Sequence, residues 1–243
     1  MIRIESHAIK SNARKYADIC KSTWSPIIQS SQVGYEYWQS LFEYFPDYQL
    51  IYENENGEWI GFANTIPLNY NRSLENLPDS GWDWLIAKGH NDYESHLIPN
   101  MLGGLQIGVH QNYRGKGYST IFLQKAKELQ KLKRLKSFIL PIRPTMKHLH
   151  PEIDMKDYIN WQKEGKIYDP WIRTHLKNGA KIIKVCSEAM RVEGSIEDWE
   201  NWTEKKFVES GQYAIEGGLS MVDINIEQDM GRYLEPNIWI SYQ

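Results

Sequence analysis

Apolar residues at Ala13, Tyr16, Ala17 and Cys20 recur at helical spacing and predict a helix over 13–24. A second helix is predicted over 35–45, stopped by Pro46. The apolar run over 48–53 and its return over 59–66 flank Asn54-Glu55-Asn56-Gly57, a turn sequence, so the two read as a β-hairpin. Residues 105–109 alternate apolar and polar and predict a strand. Phe122, Ala126, Leu129 and Leu132 then place an apolar stripe along a helix over 118–136. A strand over 138–142 follows, then helices over about 157–164 and 171–178, the latter closed by Gly179. A strand is read over 181–185. The last fifty residues read as further strands, with Val222, Ile224 and Ile226 on one face. Ile2-Arg3-Ile4 reads as a short edge strand.

Two stretches depart from this rhythm. Residues 69–97 carry Asn, Pro, Asp and Gly among the rings of Trp82, Trp84 and Tyr93, and read as a long insertion with a short helix near 82–88. The tail from about 191 to 243 reads as a β-rich extension that covers or extends the sheet. There is no internal repeat and no linker composition, so the expectation is one domain over 1–243 with a core over about 1–190. Strands alternating with helices indicate a mixed α/β (α+β) sheet.

Composition narrows the classes without choosing a function. Apolar residues make up 41% of the 243 and charged residues 24%, as in ordinary globular proteins. The formal net charge of −3 argues against a nucleic-acid partner. No segment approaches the roughly 20 apolar residues of a membrane span, and no secretory signal opens the chain, so no membrane partner and a cytoplasmic location are expected. Two cysteines, Cys20 and Cys186, do not make a disulfide framework, and Cys186 reads as a buried thiol at a strand end. His148-x-His150 lacks a third ligand, so no metal is expected. The 10 Trp and 15 Tyr suit both core and binding surface.

Chemistry concentrates between the strand ending at Val109 and the helix beginning near Tyr118. Arg114-Gly115-Lys116-Gly117 lies there. Glycines let the backbone approach a ligand and adopt positive φ, and successive N–H groups then converge on an anion. The helix N-terminus adds about half a positive charge, and two basic side chains add full ones. A pyrophosphate fits this place.

The segment Val109-His110-Gln111-Asn112-Tyr113-Arg114-Gly115-Lys116-Gly117-Tyr118-Ser119 resembles motif A of the GCN5-related N-acetyltransferases (GNAT). Their Gln/Arg-x-x-Gly-x-Gly/Ala loop maps onto Arg114, Gly117 and Ser119, the small Ser being the departure. The order of elements over roughly 1–190 is similar too. The resemblance implies a GNAT-like mixed central sheet, splayed at the motif strand and flanked by helices, with acetyl-CoA or another acyl-CoA as co-substrate in the gap. The residues it assigns to that co-substrate are Ile107, Val109, Arg114, Gly115, Lys116, Gly117, Tyr118 and Ser119. It makes the Val109 N–H a donor to the thioester carbonyl, where charge develops.

The resemblance also implies a proton donor for the departing thiolate, a Tyr four residues before a Gly-Phe pair. Here Gly179-Ala180 takes the pair's place and His175 the donor's, with Tyr168 and Tyr158 nearby. A His titrates near neutrality and can serve. For the base, the motif strand offers Gln106 and His110 but no carboxylate. His110, Glu152 and Asp154 are candidates, as is proton loss through water. Lys125, Lys127, Lys131, Lys133, Arg134 and Lys136 read as a solvated helix face. The rings of 69–97 either line an acceptor cleft or seal the added structure.

The leading expectation is N-acetyl transfer from acetyl-CoA to a small-molecule amine. Transfer to sulfur, with or without decarboxylation, is the alternative, in which Thr145 and His175 converge as in GNAT-like polyketide loading domains. The third is a CoA-binding or sensing module without catalysis. The acceptor and the oligomeric state, homodimer included, are left open.

Overall fold

The computed structural model describes residues 2–4 and 13–243. In chain order its elements are β1 (Ile2–Ile4), α1 (Ala13–Thr23), α2 (Pro26–Gln29), α3 (Gln32–Tyr44), β2 (Gln49–Glu53), β3 (Trp59–Leu68), α4 (Gly81–Glu94), β4 (Met101–Val109), α5 (Tyr118–Leu132) and β5 (Ser137–Ile142). They continue with α6 (Met155–Tyr158), β6 (Gln162–Lys163), β7 (Lys166–Ile167), α7 (Pro170–Lys177), β8 (Lys181–Gly194), α8 (Ile196–Thr203), β9 (Gly211–Tyr213), β10 (Val222–Asn225) and β11 (Met230–Tyr242).

One mixed sheet organises the molecule. Its path runs β1-β2-β3-β4-β5-β11-β10-β9, and β8 lies along the other side of β11. The β4–β5 pair is parallel and the other pairs are antiparallel. That parallel pair is brief: Met101, Leu102 and Gly103 face Ser137, Phe138 and Ile139, and the pairing stops there. β4 runs on to Val109 with no partner on that side, while β5 continues against β11 through Ile142. The sheet therefore opens into a V between the second half of β4 and β5. A bulge in β4, between the pairs Asn64–Gln106 and Thr65–Gly104, marks where the opening begins.

Each face of the sheet is covered. Helices α5 and α7 close one face over Val109, Phe122, Leu123, Ala126, Phe138 and Ile172. Helices α3 and α4 close the other over Leu41, Ile66, Leu85, Leu105 and Trp239. Phe122, Leu123, Leu41 and Leu85 are wholly buried, and each large apolar side chain so placed stabilises the fold by about 1.5–3 kcal/mol. Helix α1 seals the β2–β3–β4 edge through Tyr16 and Ile19. A third cluster, around Trp199, Val222 and Tyr233, holds α2, α8 and the β9–β10 ribbon together.

Several expectations change. The insertion holds a helix of 14 residues, longer than the short one read near Trp82. Its rings mostly seal: Trp84 packs edge-on against Tyr70 and Trp239, and Tyr93 stacks on Tyr44. The helix read over 157–164 is one turn, after which Glu164 and Gly165 both take positive φ and reverse the chain into the β6–β7 hairpin. α5 stops at Leu132, four residues early, because Arg134 adopts φ 56°. Ile226 leaves the strand face and is 37% exposed, since β10 ends at Asn225. The tail read as an extension divides in two. β8 runs unbroken through residue 191 to Gly194, and β11 lies inside the main sheet between β5 and β8. The inserted part is 195–229. A tail strand in the middle of the sheet shows no signal in local periodicity, because its position is decided by long-range pairing.

Candidate active site

The loop joining β4 to α5 is shaped by two glycines. Gly115 and Gly117 have φ of 75° and 82°, and no atom lies within 4 Å of where a Cβ would sit on either. The glycines are needed for backbone conformation, and the space before them is open. Gly117 is the N-cap of the 15-residue α5, and its carbonyl accepts the Thr120 N–H at 3.0 Å. Among the described residues, the N–H groups from Gly115 to Ser119 reach no acceptor within the protein. They form an exposed row of donors at the positive end of a helix, an arrangement made for an anion.

The two basic side chains of the loop divide their work. Arg114 does not point freely outward. Its Nε donates to the Val109 carbonyl at 3.1 Å, and one Nη donates to the Ser22 carbonyl at 2.6 Å and reaches the Ser22 and Thr23 hydroxyls at 3.2 and 3.3 Å. It ties the mouth of the V to the C-terminal end of α1. Lys116 donates to the Asn112 carbonyl at 3.0 Å and lies 5.4 Å over the Tyr113 ring, but stays exposed. Tyr118 packs edge-on against Tyr52 and Tyr113 and fixes the first turn of α5.

The strand supplies donors inside the V. The His110 N–H bonds the Ile60 carbonyl at 2.9 Å, so His110 turns its peptide groups toward β3. Peptide groups alternate along a strand, so those of Val109 and Ile107 face away from β3, into the opening. The Arg114 Nε on the Val109 carbonyl confirms that orientation. Because β5 has already diverged, these N–H groups meet no strand partner. They are fixed donors in the cleft, continuous with the donor row of the loop.

The predicted proton-transfer side chains are not gathered there. His175 is wholly buried in α7. Its Nδ1 bonds the Tyr242 hydroxyl at 2.7 Å, its ring meets Trp171 at 4.3 Å, and its Nε2 has no partner. Burial pulls its pKa down to about 3, so the ring is neutral. Tyr242 pairs with Phe138, which pairs with Leu102. His175 thus bonds a strand residue whose register lies at the closed end of the V, where Leu102 is about 17 Å of strand rise from Ile107. Thr145 is exposed on the loop after β5, so the Thr145–His175 pair is not brought together. His110 caps the turn Gln111–Tyr113 through its Nδ1. Tyr158 is buried, donates to Asp169 at 3.0 Å, and has its pKa raised by burial and by that carboxylate. Tyr168 remains half-buried against His150 and Trp161. Asp154 caps α6, and Glu152 is exposed. His148 bonds the Thr145 carbonyl, and no described group of His, Cys, Asp and Glu could hold a metal ion.

No protein-family model matches the chain. Over 249 aligned residues it is 27% identical to the arginine N-acetyltransferase avaD of Aspergillus versicolor, covering 91% of this chain and 85% of that protein. The loading GNATL domain of CurA from Lyngbya majuscula superposes with a TM-score of 0.61 at 15% identity, over 100% of this chain and 96% of that one. The chain has the fold of the GCN5-related N-acetyltransferase superfamily. The GphF GNAT-like decarboxylase, determined with isobutyryl-CoA, gives a TM-score of 0.55 at 15% identity, over 78% of this chain and 90% of that one.

In this GNAT fold the face opposite α5 carries two features that local sequence did not announce. The first is a chain of amides from buried Gln49 through buried Asn64 to half-buried Gln106 of the motif strand, capped by the Tyr16 hydroxyl. The second is a cavity of about 420 Å³ between the N-termini of α3 and α4 and strand β8, lined by Gln32, Ser80, Asp83, Glu188, Arg191 and Glu193 among others. The Asp83 carboxylate accepts the Arg191 N–H at 2.9 Å, and its second oxygen is buried without a partner. Burial raises the Asp83 pKa to about 7. Next to Asp83, Trp82 donates its indole N–H to the Leu105 carbonyl at 2.8 Å, fastening the cavity wall to the bulge of β4. The residues of the cavity lie far apart in sequence, and no spacing rule links them.

No described helix is long and apolar enough to cross a membrane.

Proposed function

We propose that the protein is an acyl-CoA-dependent acyltransferase that moves an acetyl group from acetyl-CoA to the amine of a small molecule. The observation that carries the reading is the continuous row of unpaired donors. Gly115 to Ser119 present N–H groups at the N-terminus of α5, and Val109 and Ile107 present theirs inside the adjoining V. The first set suits a pyrophosphate and the second a thioester carbonyl at the end of a pantetheine arm. The GphF structure, of the same fold, was determined with an acyl-CoA.

The chemistry needs few side chains. The acceptor amine attacks the thioester carbon, a C–N bond forms, and the C–S bond breaks. Negative charge on the carbonyl oxygen is met by strand N–H donors that are already in place and need no rearrangement. The amine gives up one proton to water and the CoA thiolate takes one, giving the amide and free CoA. His175, neutral and wholly buried, takes no part in this scheme.

The named activity of the avaD relative makes L-arginine the first acceptor to test. Free-thiol release from acetyl-CoA, with mass spectrometry of the product, tests the reading against L-arginine and a panel of primary amines. Acetylated amine is the expected product. Acetyl-CoA that binds yet releases no thiol above the blank with any amine would refute transfer and leave a CoA-binding module.

A further inference from the structure

Gln106 stands on β4 at the bulge where the V opens, one residue before the cleft-facing Ile107 N–H. Ile107 packs toward α5, while Gln106 lies on the opposite face under Tyr16 of α1. Its amide nitrogen donates to the Tyr16 hydroxyl and to the Asn64 side-chain oxygen, both at 2.8 Å. Asn64 then donates to the Gln49 side-chain oxygen at 2.9 Å. Gln49 donates in turn to the Phe45 and Thr65 carbonyls, at 2.8 and 3.0 Å.

The direction of this chain is fixed. Backbone carbonyls only accept, so the Gln49 nitrogen must face them. That leaves its oxygen for Asn64, and the Asn64 oxygen for Gln106. Flipping any one amide would set donor against donor. Gln49 and Asn64 are buried and satisfied. At the last link, both amide hydrogens of Gln106 are committed, and its Oε1 receives no hydrogen bond from the described residues. A relay of three amides, the first two buried, thus ends at the half-buried Gln106 on the strand that borders the V, with its oxygen left as an acceptor. Holding such a group costs side-chain entropy and burial of polar atoms, and none of the described residues uses the oxygen.

Resting on the acyl-transfer reading, we propose that the Gln106 Oε1 accepts a hydrogen bond from the nitrogen of the acceptor amine and holds it against the thioester carbon. The ligand at this point must be an N–H donor, because the oxygen can only accept. An amide oxygen is far too weak a base to take the amine's proton, so the contact orients the nucleophile and favours the positive charge that develops on nitrogen as the C–N bond forms. The proton leaves to water.

The test compares the unsubstituted protein with Gln106→Met and Gln106→Glu, with L-arginine and n-butylamine as probe amines and acetyl-CoA as donor. Gln106→Met keeps the length of the side chain and removes the oxygen. It is expected to lower kcat/KM for the amine by about 10- to 100-fold, the loss of one hydrogen bond to a charged partner. The KM for acetyl-CoA and the thermal shift it induces should stay as they were. Gln106→Glu keeps an acceptor oxygen, so the KM for the amine should remain within a few-fold. Its kcat/KM profile should gain a limb from the added carboxylate. The neighbours Cys20, raised to about 11 by burial, and Tyr16, raised further, do not titrate between pH 5 and 9. Unchanged amine kinetics in a folded Gln106→Met protein, or an unchanged pH profile in Gln106→Glu, would overturn the assignment. Failure of the underlying reading looks different: no thiol release by the unsubstituted protein.

Discussion

Replacing Gly117 by alanine separates the stability of the loop from its use. The residue holds φ 82°, and a Cβ would meet nothing within 4 Å. The cost is therefore torsional, about 1–2 kcal/mol for an L-residue in the left-handed region. Gly57, in the β2–β3 turn, is the natural control. Its φ is 76°, and the nearest atom to a Cβ there is the Glu53 carboxylate oxygen at 3.7 Å. Gly117→Ala and Gly57→Ala should lower stability in urea by similar amounts. Only Gly117→Ala should also weaken acetyl-CoA. A loop that relieves the strain by leaving positive φ turns the peptide joining residues 117 and 118 away from the phosphate. One charge-assisted hydrogen bond is worth about 1.5–3 kcal/mol, which is roughly 10- to 150-fold in Kd. Urea midpoints and calorimetric titrations on the same preparations give both numbers. Equal acetyl-CoA affinity in the two variants would refute the claim that this backbone holds the pyrophosphate.

The remaining predictions address burial and bracing. His175 titrates near 6.5 when unfolded and near 3 when folded, so the unfolded chain binds the extra proton below pH 6.5. Stability should fall by up to about 1.4 kcal/mol per pH unit as pH drops from 6.5 toward 3, and urea midpoints of His175→Gln should lack that slope. Arg143→Met strips the partner from Glu235, which is wholly buried and hydrogen-bonded to Tyr233. A loss of about 3–5 kcal/mol in denaturant titration is expected. Arg114→Lys loses the fork that joins Val109 to Ser22, so hydrogen exchange at the end of α1 should quicken, with a stability loss of about 1 kcal/mol.

The donor loop was legible in the sequence because its physics is local. Two glycines between a strand and an amphipathic helix require positive φ and leave N–H groups free, whatever surrounds them. Arg114 shows where that reading stops. Its residue type announces a charge, but its partners, Ser22 and Thr23, come from a helix about ninety residues earlier, and only folding directs the guanidinium to them. His175 failed to reach the cleft for a similar reason. Its distance from Gly179 matches a motif, yet the level at which α7 crosses the sheet is set by Asp169, which caps α7 and accepts the Met146 N–H, and by Tyr242, the penultimate residue. β11 is the clearest case in the fold: the last strand enters the middle of the sheet. Gln106 shows in the sequence only as a polar residue on a strand without a carboxylate. Its meaning depends on the donor direction of Gln49 and Asn64, which no periodicity carries.

Hydrogen–deuterium exchange of the intact protein, with and without acetyl-CoA, tests the central claim most directly. The amides of 115–119 meet no acceptor among the described residues, and those of 107 and 109 face an open cleft, so all should exchange within seconds in the free protein. Acetyl-CoA should slow exchange at 107–109 and 115–119 together, and leave the β9–β10 ribbon unchanged. Acetyl-CoA at millimolar concentration that protects neither segment would contradict the account.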